Sequence, residues 1–216
     1  MADNAEDPHR GQPVLRAGPA AAAARLVAIC IHGRGASAGD ILGLAQELAA
    51  KDVAFVAPQA AGHSWYPYSF LSPIPQNEPG ISSGLGVVAA LIDTAGQQGV
   101  PPNRVVLLGF SQGACLALEF AARHPRRYAA VVGLSGGLIG PPGTPRDYPG
   151  SLDGTPIFLG CSDVDAHIPV DRVRESSAVF RRMGGNVDER IYPRMGHTVN
   201  RDELEAVDAL LTSAAP

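Results

Sequence analysis

Short apolar segments alternate with longer amphipathic ones along most of this chain, and that alternation restricts the folds it can adopt. Stretches such as Ile29–Ile31 and Val105–Leu108 are apolar without interruption, as expected for strands that are covered on both faces. The alternation predicts an α/β fold with a mostly parallel central sheet and helices on both faces. The predicted strands are Leu26–Ile31, Val53–Ala57, Arg104–Phe110, Ala129–Leu134, Pro156–Gly160 and Val187–Ile191.

The amphipathic segments have helical spacing and recognisable ends. Leu116 and Phe120 lie one helical turn apart, and Pro125 ends their segment. Gly184 likewise ends the predicted helix Val170–Met183. The predicted helices are Asp40–Ala50, Ser82–Gln97, Gln112–Arg123, Val170–Met183 and Arg201–Thr212.

Residues 1–24 are rich in glycine, proline and alanine. They are predicted to form an N-terminal tail or, near Val14 and Leu15, a short edge strand. Residues 25–216 are predicted to form one domain, because a chain of this length can bury a substantial core. With 45% apolar and 18% charged residues, the composition is that of a soluble globular protein.

Composition also excludes several classes of partner. A net charge of −4 gives no basic surface for nucleic acid or for an anionic membrane. Met1–Arg10 lacks the layout of a secretory signal, and the apolar run Ala20–Ala24 is too short to span a bilayer. Cys30, Cys115 and Cys161 match neither a zinc site nor a redox pair. The expected setting is the cytoplasm, with neither nucleic acid nor membrane as partner.

One pentapeptide carries a chemical signature. Gly109–Gly113 reads G-x-S-x-G, with a predicted strand directly before it and a predicted helix after it. In this context the central serine, Ser111, lies on a tight strand-to-helix turn that exposes its hydroxyl. We therefore predict that Ser111 is a nucleophile, which needs a neighbouring base to remove its proton.

His197 is the histidine in the right place to be that base. In folds with this serine turn, the acid and then the histidine follow the serine along the chain, each on a loop after a strand. His197 follows the last predicted strand. Three histidines precede Ser111 in the chain, namely His9, His32 and His63. His124 ends the helix after Ser111, on the wrong side of the sheet, and His167 lies where the acid belongs.

Two aspartates compete for the role of the acid that orients the histidine. Asp163 and Asp165 both follow the strand Pro156–Gly160, and spacing alone does not choose between them. With His167 they could form a loose metal cluster, but a second histidine at helical spacing is missing, so no metal is expected.

The glycine-rich turn after the first strong strand is predicted to supply an oxyanion hole. A transition-state oxyanion needs fixed N–H donors, and the expected pair belongs to Arg34 in this turn and to Gln112, just after the nucleophile. The turn Ile31–Gly35 fits neither of the common glycine-rich phosphate-binding motifs.

Pro58–Gly80 is a long proline-rich loop that also contains four aromatic residues. Long loops inside compact domains are usually functional or disordered, and the aromatics argue against disorder. We predict that Trp65, Tyr66, Phe70 and the neighbouring Tyr68 form one wall of a substrate pocket. A second stretch rich in proline and glycine, Gly136–Gly154, is polar and is expected to be a plain surface excursion.

Together these motifs resemble the phospholipase/carboxylesterase family of α/β-hydrolases, which includes acyl-protein thioesterases and small bacterial carboxylesterases. The resemblance rests on His32-Gly33-x-Gly35, Gly109-Phe110-Ser111-Gln112-Gly113, Asp165-x-x-Ile168-Pro169 and Met195-Gly196-His197-Thr198. It implies an α/β-hydrolase fold and Asp165, four residues before the proline, as the acid. Two departures are Ala36, where the family has aspartate, and Cys161–Asp163, where it has His-Gly-Asp.

The predicted activity is hydrolysis of short- to medium-chain carboxylic esters, with a small-molecule ester as substrate and no cofactor. Ser111 attacks the ester carbonyl after His197 removes its proton, and an acyl-enzyme forms. A thioesterase or lysophospholipase would use the same triad. A catalytically silent binding protein would lack a triad member, and a dienelactone-type hydrolase would have cysteine in place of Ser111.

Overall fold

A computed structural model describes residues 7–214 and places seven strands in one sheet. The strand order is β1-β3-β2-β4-β5-β6-β7. β1 pairs antiparallel with β3, and every other neighbouring pair is parallel. The strands are β1 Val14–Ala17, β2 Leu26–Ile31, β3 Val53–Pro58, β4 Val105–Phe110, β5 Ala130–Leu134, β6 Pro156–Ser162 and β7 Asn186–Tyr192.

Five helices pack on this sheet, and short 3₁₀ turns lie at Ala21–Ala23, Ala61–His63, Ile74–Asn77 and Pro102–Arg104. The predicted α/β architecture is thereby confirmed. In residues 7–214 no helix combines the length and the apolar character needed to cross a membrane. The helices are α1 Ala38–Gln46, α2 Gly80–Gln97, α3 Gln112–Arg123, α4 Val170–Arg182 and α5 Arg201–Ser213.

The sheet separates two apolar layers. α2, α3 and α4 cover one face, and α1 and α5 cover the other. All residues of β2 and β3 are buried, which explains why these strands are apolar without alternation. Since β2, β4, β6 and β7 run parallel, the loops after them meet at one edge of the sheet.

Most helix and strand boundaries lie within two residues of the predicted ones. The helix α1 is the exception. The helix was expected at Asp40–Ala50, but it spans Ala38–Gln46. Ser37 and Asp40 form a reciprocal capping box, in which the Ser37 side chain accepts from Asp40 N and the Asp40 side chain accepts from Ser37 N. Asp40 is therefore a capping residue in the first turn rather than the first residue of the helix.

The described N-terminal residues pack against the domain. Val14–Ala17 form the antiparallel edge strand β1. His9, ahead of it, is buried, with its Nδ1 3.1 Å from Ala61 N and its Nε2 2.9 Å from Trp65 O. The segment before β2 thus covers part of the loop that follows β3.

The expectation that Gly136–Gly154 is a plain surface excursion is wrong. Leu138, Ile139 and Leu152 are fully buried. The segment turns inward because the nearly buried Arg172 donates from Nη1 to Leu138 O at 2.7 Å, satisfying a backbone group away from water. Glu119 Oε2 likewise accepts from Ile139 N at 2.9 Å.

Glu203 in the first turn of α5 gives a testable effect on stability. Its side chain is fully buried, and burial raises the pKa of its carboxyl to about 7. Between its ordinary pKa and 7, the folded protein holds a proton that the unfolded chain releases, so stability should fall as pH rises through this window. Glu203→Gln keeps the capping acceptor and removes the charge. Its free energy of unfolding at pH 8 should therefore be about 2 kcal/mol higher than that of wild type.

Urea unfolding of both proteins at pH 5 and pH 8 measures this effect. Wild type should lose stability between the two pH values, and Glu203→Gln should lose clearly less. Equal losses would show that another group carries the pH dependence.

Candidate active site

Ser111 lies on a strained turn between β4 and α3. Its backbone has φ 55° and ψ −120°, in the left-handed region that favours glycine. A side chain at Gly109 would collide with Gly113, and one at Gly113 would collide with the end of β2. The two glycines of the motif therefore allow strand and helix to approach closely, and the strained serine is held at the sheet edge.

Ser111, His197 and Asp165 form one hydrogen-bonded chain across three loops. His197 Nε2 lies 2.8 Å from Ser111 Oγ, and His197 Nδ1 lies 2.7 Å from Asp165 Oδ2. The Asp165 side chain is fully buried, whereas His197 keeps 20% of its side chain exposed. A carboxylate only accepts, so Nδ1 carries the proton and Nε2 is free to accept the serine hydroxyl.

The environment of Asp165 keeps its carboxyl ionised. Burial by itself would raise its pKa, but the hydrogen bond from His197 and the backbone N–H groups of His167 and Ile168 outweigh burial, so the pKa is lowered. The two N–H groups reach Asp165 Oδ1 at 2.8 and 3.1 Å. A charged carboxylate can stabilise an imidazolium on His197.

Asp163, the other candidate acid, has a different neighbour. Its Oδ1 accepts from Arg194 N at 2.7 Å, and it makes no hydrogen bond to His197 in the described structure. Arg194 has φ 55°, so Asp163 supports a tight turn in the loop that leads to His197. The two aspartates thus lie on the same loop, but only Asp165 contacts the histidine.

Arg34 and Gln112 both line the cleft that contains Ser111. Within residues 7–214, their backbone N–H groups have no acceptor in the chain. Gln112 is the first residue of α3, where an N–H group is unpaired by helix geometry and favours negative charge. Both N–H groups are therefore available to an oxyanion.

His32 sets the orientation of the peptide group that bears the Arg34 N–H. Ala60 N donates to His32 Nε2 at 3.1 Å, so His32 Nδ1 must carry the proton and donate to Gly33 O at 2.7 Å. Gly33 O and Arg34 N belong to the same peptide group. Burial lowers the pKa of His32, which keeps the imidazole neutral. The sequence excludes His32 as the base and includes it in the motif His32-Gly33-x-Gly35, but it does not predict this positioning role.

The side chains of Gln112 and Arg34 connect Ser111 and the turn Ile31–Gly35 to Pro58–Gly80, the aromatic loop. Gln112 Oε1 accepts from Trp65 N at 2.9 Å, and Gln112 Nε2 donates to Tyr66 O at 2.8 Å. The guanidinium of Arg34 donates to the carbonyls of Tyr66, Pro67 and Tyr68. The loop is thereby fixed to the site by its backbone, a role that the sequence did not reveal.

Tyr66 and Phe70 line the cleft, but the prediction for Trp65 is wrong. Trp65 is fully buried in the core, where its Nε1 donates to His32 O at 2.9 Å. Gly84 on α2 lies beside the indole, and a side chain there would collide with Leu116, which packs in the same layer. A proline-rich loop can thus cross the surface and still turn one aromatic ring inward. Tyr68, which is 57% exposed and was also predicted for the wall, lines the cleft together with Tyr66 and Phe70.

The cleft has a cavity volume of about 350 Å³, at the lower end of the range for small-molecule sites. Most of its lining residues are aromatic or small, and they include Ser111 and His197 of the candidate triad. Its lining residues are Arg34, Tyr66, Pro67, Tyr68, Ser69, Phe70, Ser111, Gln112, Cys115, His167, Ile168 and His197.

Comparisons with known proteins place this arrangement in a family. A phospholipase/carboxylesterase crystal structure from Dyadobacter fermentans superposes with a TM-score of 0.90 at 36% identity, covering 94% of this chain and 97% of that one. An acyl-protein thioesterase 1 from Yarrowia lipolytica is 27% identical over 208 residues, which are 88% of this chain and 92% of the relative.

A second acyl-protein thioesterase 1, from Gibberella zeae, is 30% identical over 129 residues, or 58% of this chain. This chain spans only about half the length of that relative, 54%. The model of the phospholipase/carboxylesterase family matches residues 17–214, nearly all of the described structure. The chain therefore belongs to the phospholipase/carboxylesterase family of α/β-hydrolases.

Proposed function

We propose that this chain is a serine carboxylesterase that hydrolyses short- to medium-chain carboxylic esters through an acyl-enzyme. The observation that carries the proposal is the continuous hydrogen-bonded chain from Asp165 through His197 to Ser111. A silent binding protein would not need this geometry on a strained turn.

The proposed reaction has two steps that use the same groups. His197 Nε2 takes the proton of Ser111 as Oγ attacks the ester carbonyl, and the N–H groups of Arg34 and Gln112 hold the oxyanion. His197 then protonates the leaving alcohol, which leaves the acyl group on Ser111. In the second step His197 takes a proton from water as the water oxygen attacks the acyl carbon. The bond to Ser111 Oγ then breaks, His197 returns the proton to Oγ, and the acid is released.

The size of the cleft supports short acyl groups. A volume of about 350 Å³ walled by the rings of Tyr66 and Phe70 suits compact esters better than a palmitoyl chain, which would need a longer aliphatic channel. Phe70 is almost buried, and Gly140 N donates to its carbonyl at 2.7 Å, so its ring lies in a fixed wall.

Phe70→Ala should shift the chain-length preference towards longer acyl groups. Removal of the ring enlarges the cleft, so octanoyl esters should gain about tenfold in kcat/KM relative to butyryl esters. Steady-state kinetics on acetyl, butyryl, octanoyl and palmitoyl esters measures the shift, with a melting curve to show that the variant folds. Best turnover on palmitoyl esters in wild type would contradict the proposed acyl size.

Activity should fall on acidification, because an imidazolium on His197 cannot act as the base. Asp165 stays ionised over the relevant range, since its pKa is lowered. We expect kcat/KM for a butyryl ester to lose about tenfold per pH unit on the acidic limb. A rate that is unchanged from pH 8 down to pH 4.5 would exclude a histidine base.

Thioester hydrolysis is the second candidate function, and the names of the relatives favour it. Acyl-protein thioesterase 1 from Yarrowia lipolytica aligns along most of both chains. The same serine, base and oxyanion donors would act on a thioester carbonyl. Parallel kinetics on oxygen esters and thioesters with matched acyl groups would decide which substrate class is preferred.

A further inference from the structure

Tyr66, which lines the cleft, carries a buried hydroxyl that lacks a strong hydrogen-bond partner. Only 2% of the residue is exposed, and among the described residues no nitrogen or oxygen atom pairs with its hydroxyl, which has only the weakly hydrogen-bonding thiol of Cys115 beside it. The hydroxyl lies beside the thiol of Cys115, which also lines the cleft. Burial raises the pKa of Tyr66 well above its ordinary value, so the phenol stays neutral and can donate. A buried polar group without a partner is rare in proteins and calls for an explanation.

Arg34 adds a positive charge to the same wall. Its guanidinium carbon lies 6.0 Å from the centroid of the Tyr66 ring. In residues 7–214 no carboxylate forms an ion pair with Arg34, and its partners are the uncharged carbonyls of the aromatic loop. No aspartate or glutamate lines this cleft. The lining therefore offers a donor and a cation. Glu119, whose charge also raises the pKa of Tyr66, lies outside the lining and is paired with Arg123 and Arg146.

An apolar acyl group that filled this space would leave the Tyr66 hydroxyl buried with only the weak thiol of Cys115 beside it. Sites with a buried hydrogen-bonding group reject analogues that cannot pair with it more strongly than apolar pockets reject a change of size. A carboxylate would accept from Tyr66 and also neutralise Arg34. The cleft volume of about 350 Å³ leaves room for only a few carbons between such a group and the ester carbonyl.

We propose that the cleft selects esters whose short acyl group ends in a carboxylate, which Tyr66 Oη and the guanidinium of Arg34 bind. This inference rests on the proposed esterase function and names its substrate class. Tyr66 is then a specificity-determining residue. Its hydroxyl acts on the end of the acyl group rather than on the reacting carbonyl.

Two esters of nearly the same shape test the proposal. Monoethyl succinate carries a carboxylate where ethyl 4-methylpentanoate carries an isopropyl group, and titration of the released acid follows both. Wild type should show at least about a tenfold higher kcat/KM for the succinate ester. Tyr66→Phe, which removes only the hydroxyl, should reduce that ratio at least about fivefold, consistent with the loss of one buried hydrogen bond.

Tyr128→Phe is the matched control, because Tyr128 Oη donates to His124 O at 2.7 Å, outside the cleft. The ratio should be unchanged in this variant. A wild-type preference for the 4-methylpentanoate ester, or an unchanged ratio in Tyr66→Phe, would overturn the inference while leaving the esterase function intact. Failure of wild type to hydrolyse either ester, or ethyl acetate, would instead overturn the esterase function and the inference with it.

Discussion

Ser111→Ala should abolish ester hydrolysis, with kcat reduced by about 10⁶-fold, the loss seen when a serine nucleophile that acts with its base is removed. The geometry gives the reason, because His197 Nε2 lies 2.8 Å from Ser111 Oγ and, among residues 7–214, hydrogen-bonds to no other hydroxyl. The backbone should tolerate the change, since alanine and serine have the same difficulty with φ 55°. Hydrolysis of a butyryl ester and the melting temperature should be measured together.

An active-site-directed fluorophosphonate gives an independent readout of the same variant. It should label wild type once, at Ser111, and leave Ser111→Ala unlabelled. Continued labelling of the variant would identify another nucleophile. The three thiols are poor candidates, because burial raises the pKa of Cys115, the one in the cleft, to about 12.

Asp165→Asn should produce the second-largest loss, up to about 10⁴-fold in kcat. An amide at this position would present an N–H group or an uncharged oxygen to His197 Nδ1. The histidine would then lose the fixed tautomer that leaves Nε2 free for Ser111 Oγ, as well as the charge that stabilises the imidazolium. Single-turnover and steady-state rates on a butyryl ester measure the effect.

Asp163→Asn is the matched control for that experiment. The variant keeps an oxygen that can accept from Arg194 N, the contact that Asp163 makes at 2.7 Å. We expect less than about a tenfold loss, because only the turn before His197 depends on it. If Asp163→Asn were the more damaging change, the assignment of the two aspartates would have to be reversed.

The sequence predicted the α/β architecture because its strands are buried on both faces and read as continuous apolar runs. Leu26–Ile31 and Gln112–Arg123 were located with the boundaries that the structure has. The G-x-S-x-G context predicts Ser111, chain order and loop position predict His197, and the structure places their side chains within hydrogen-bond distance. The choice of Asp165 over Asp163 depends on the family resemblance, because both aspartates lie on one loop and their spacing does not distinguish them.

What the sequence missed depends on contacts between residues far apart in the chain. Trp65 was assigned to the substrate wall because its loop is proline-rich, yet its indole binds His32 O across the core. The inward turn of Gly136–Gly154 requires Arg172, which lies on a helix predicted only from its spacing. Neither contact leaves a local pattern, because a buried hydrogen bond between distant loops has no sequence period.

Arg34 and Gln112 each have two separate roles, one for the backbone and one for the side chain. In the proposed mechanism the backbone N–H of each binds the oxyanion, while the side chain of each holds the loop with Tyr66. Any amino acid except proline keeps the N–H group. Substitutions at these two positions therefore keep the oxyanion donors but remove the side-chain contacts that fix the loop, which can then change its conformation. Homologues that share the triad but differ here should diverge in what they hydrolyse rather than in how they hydrolyse it.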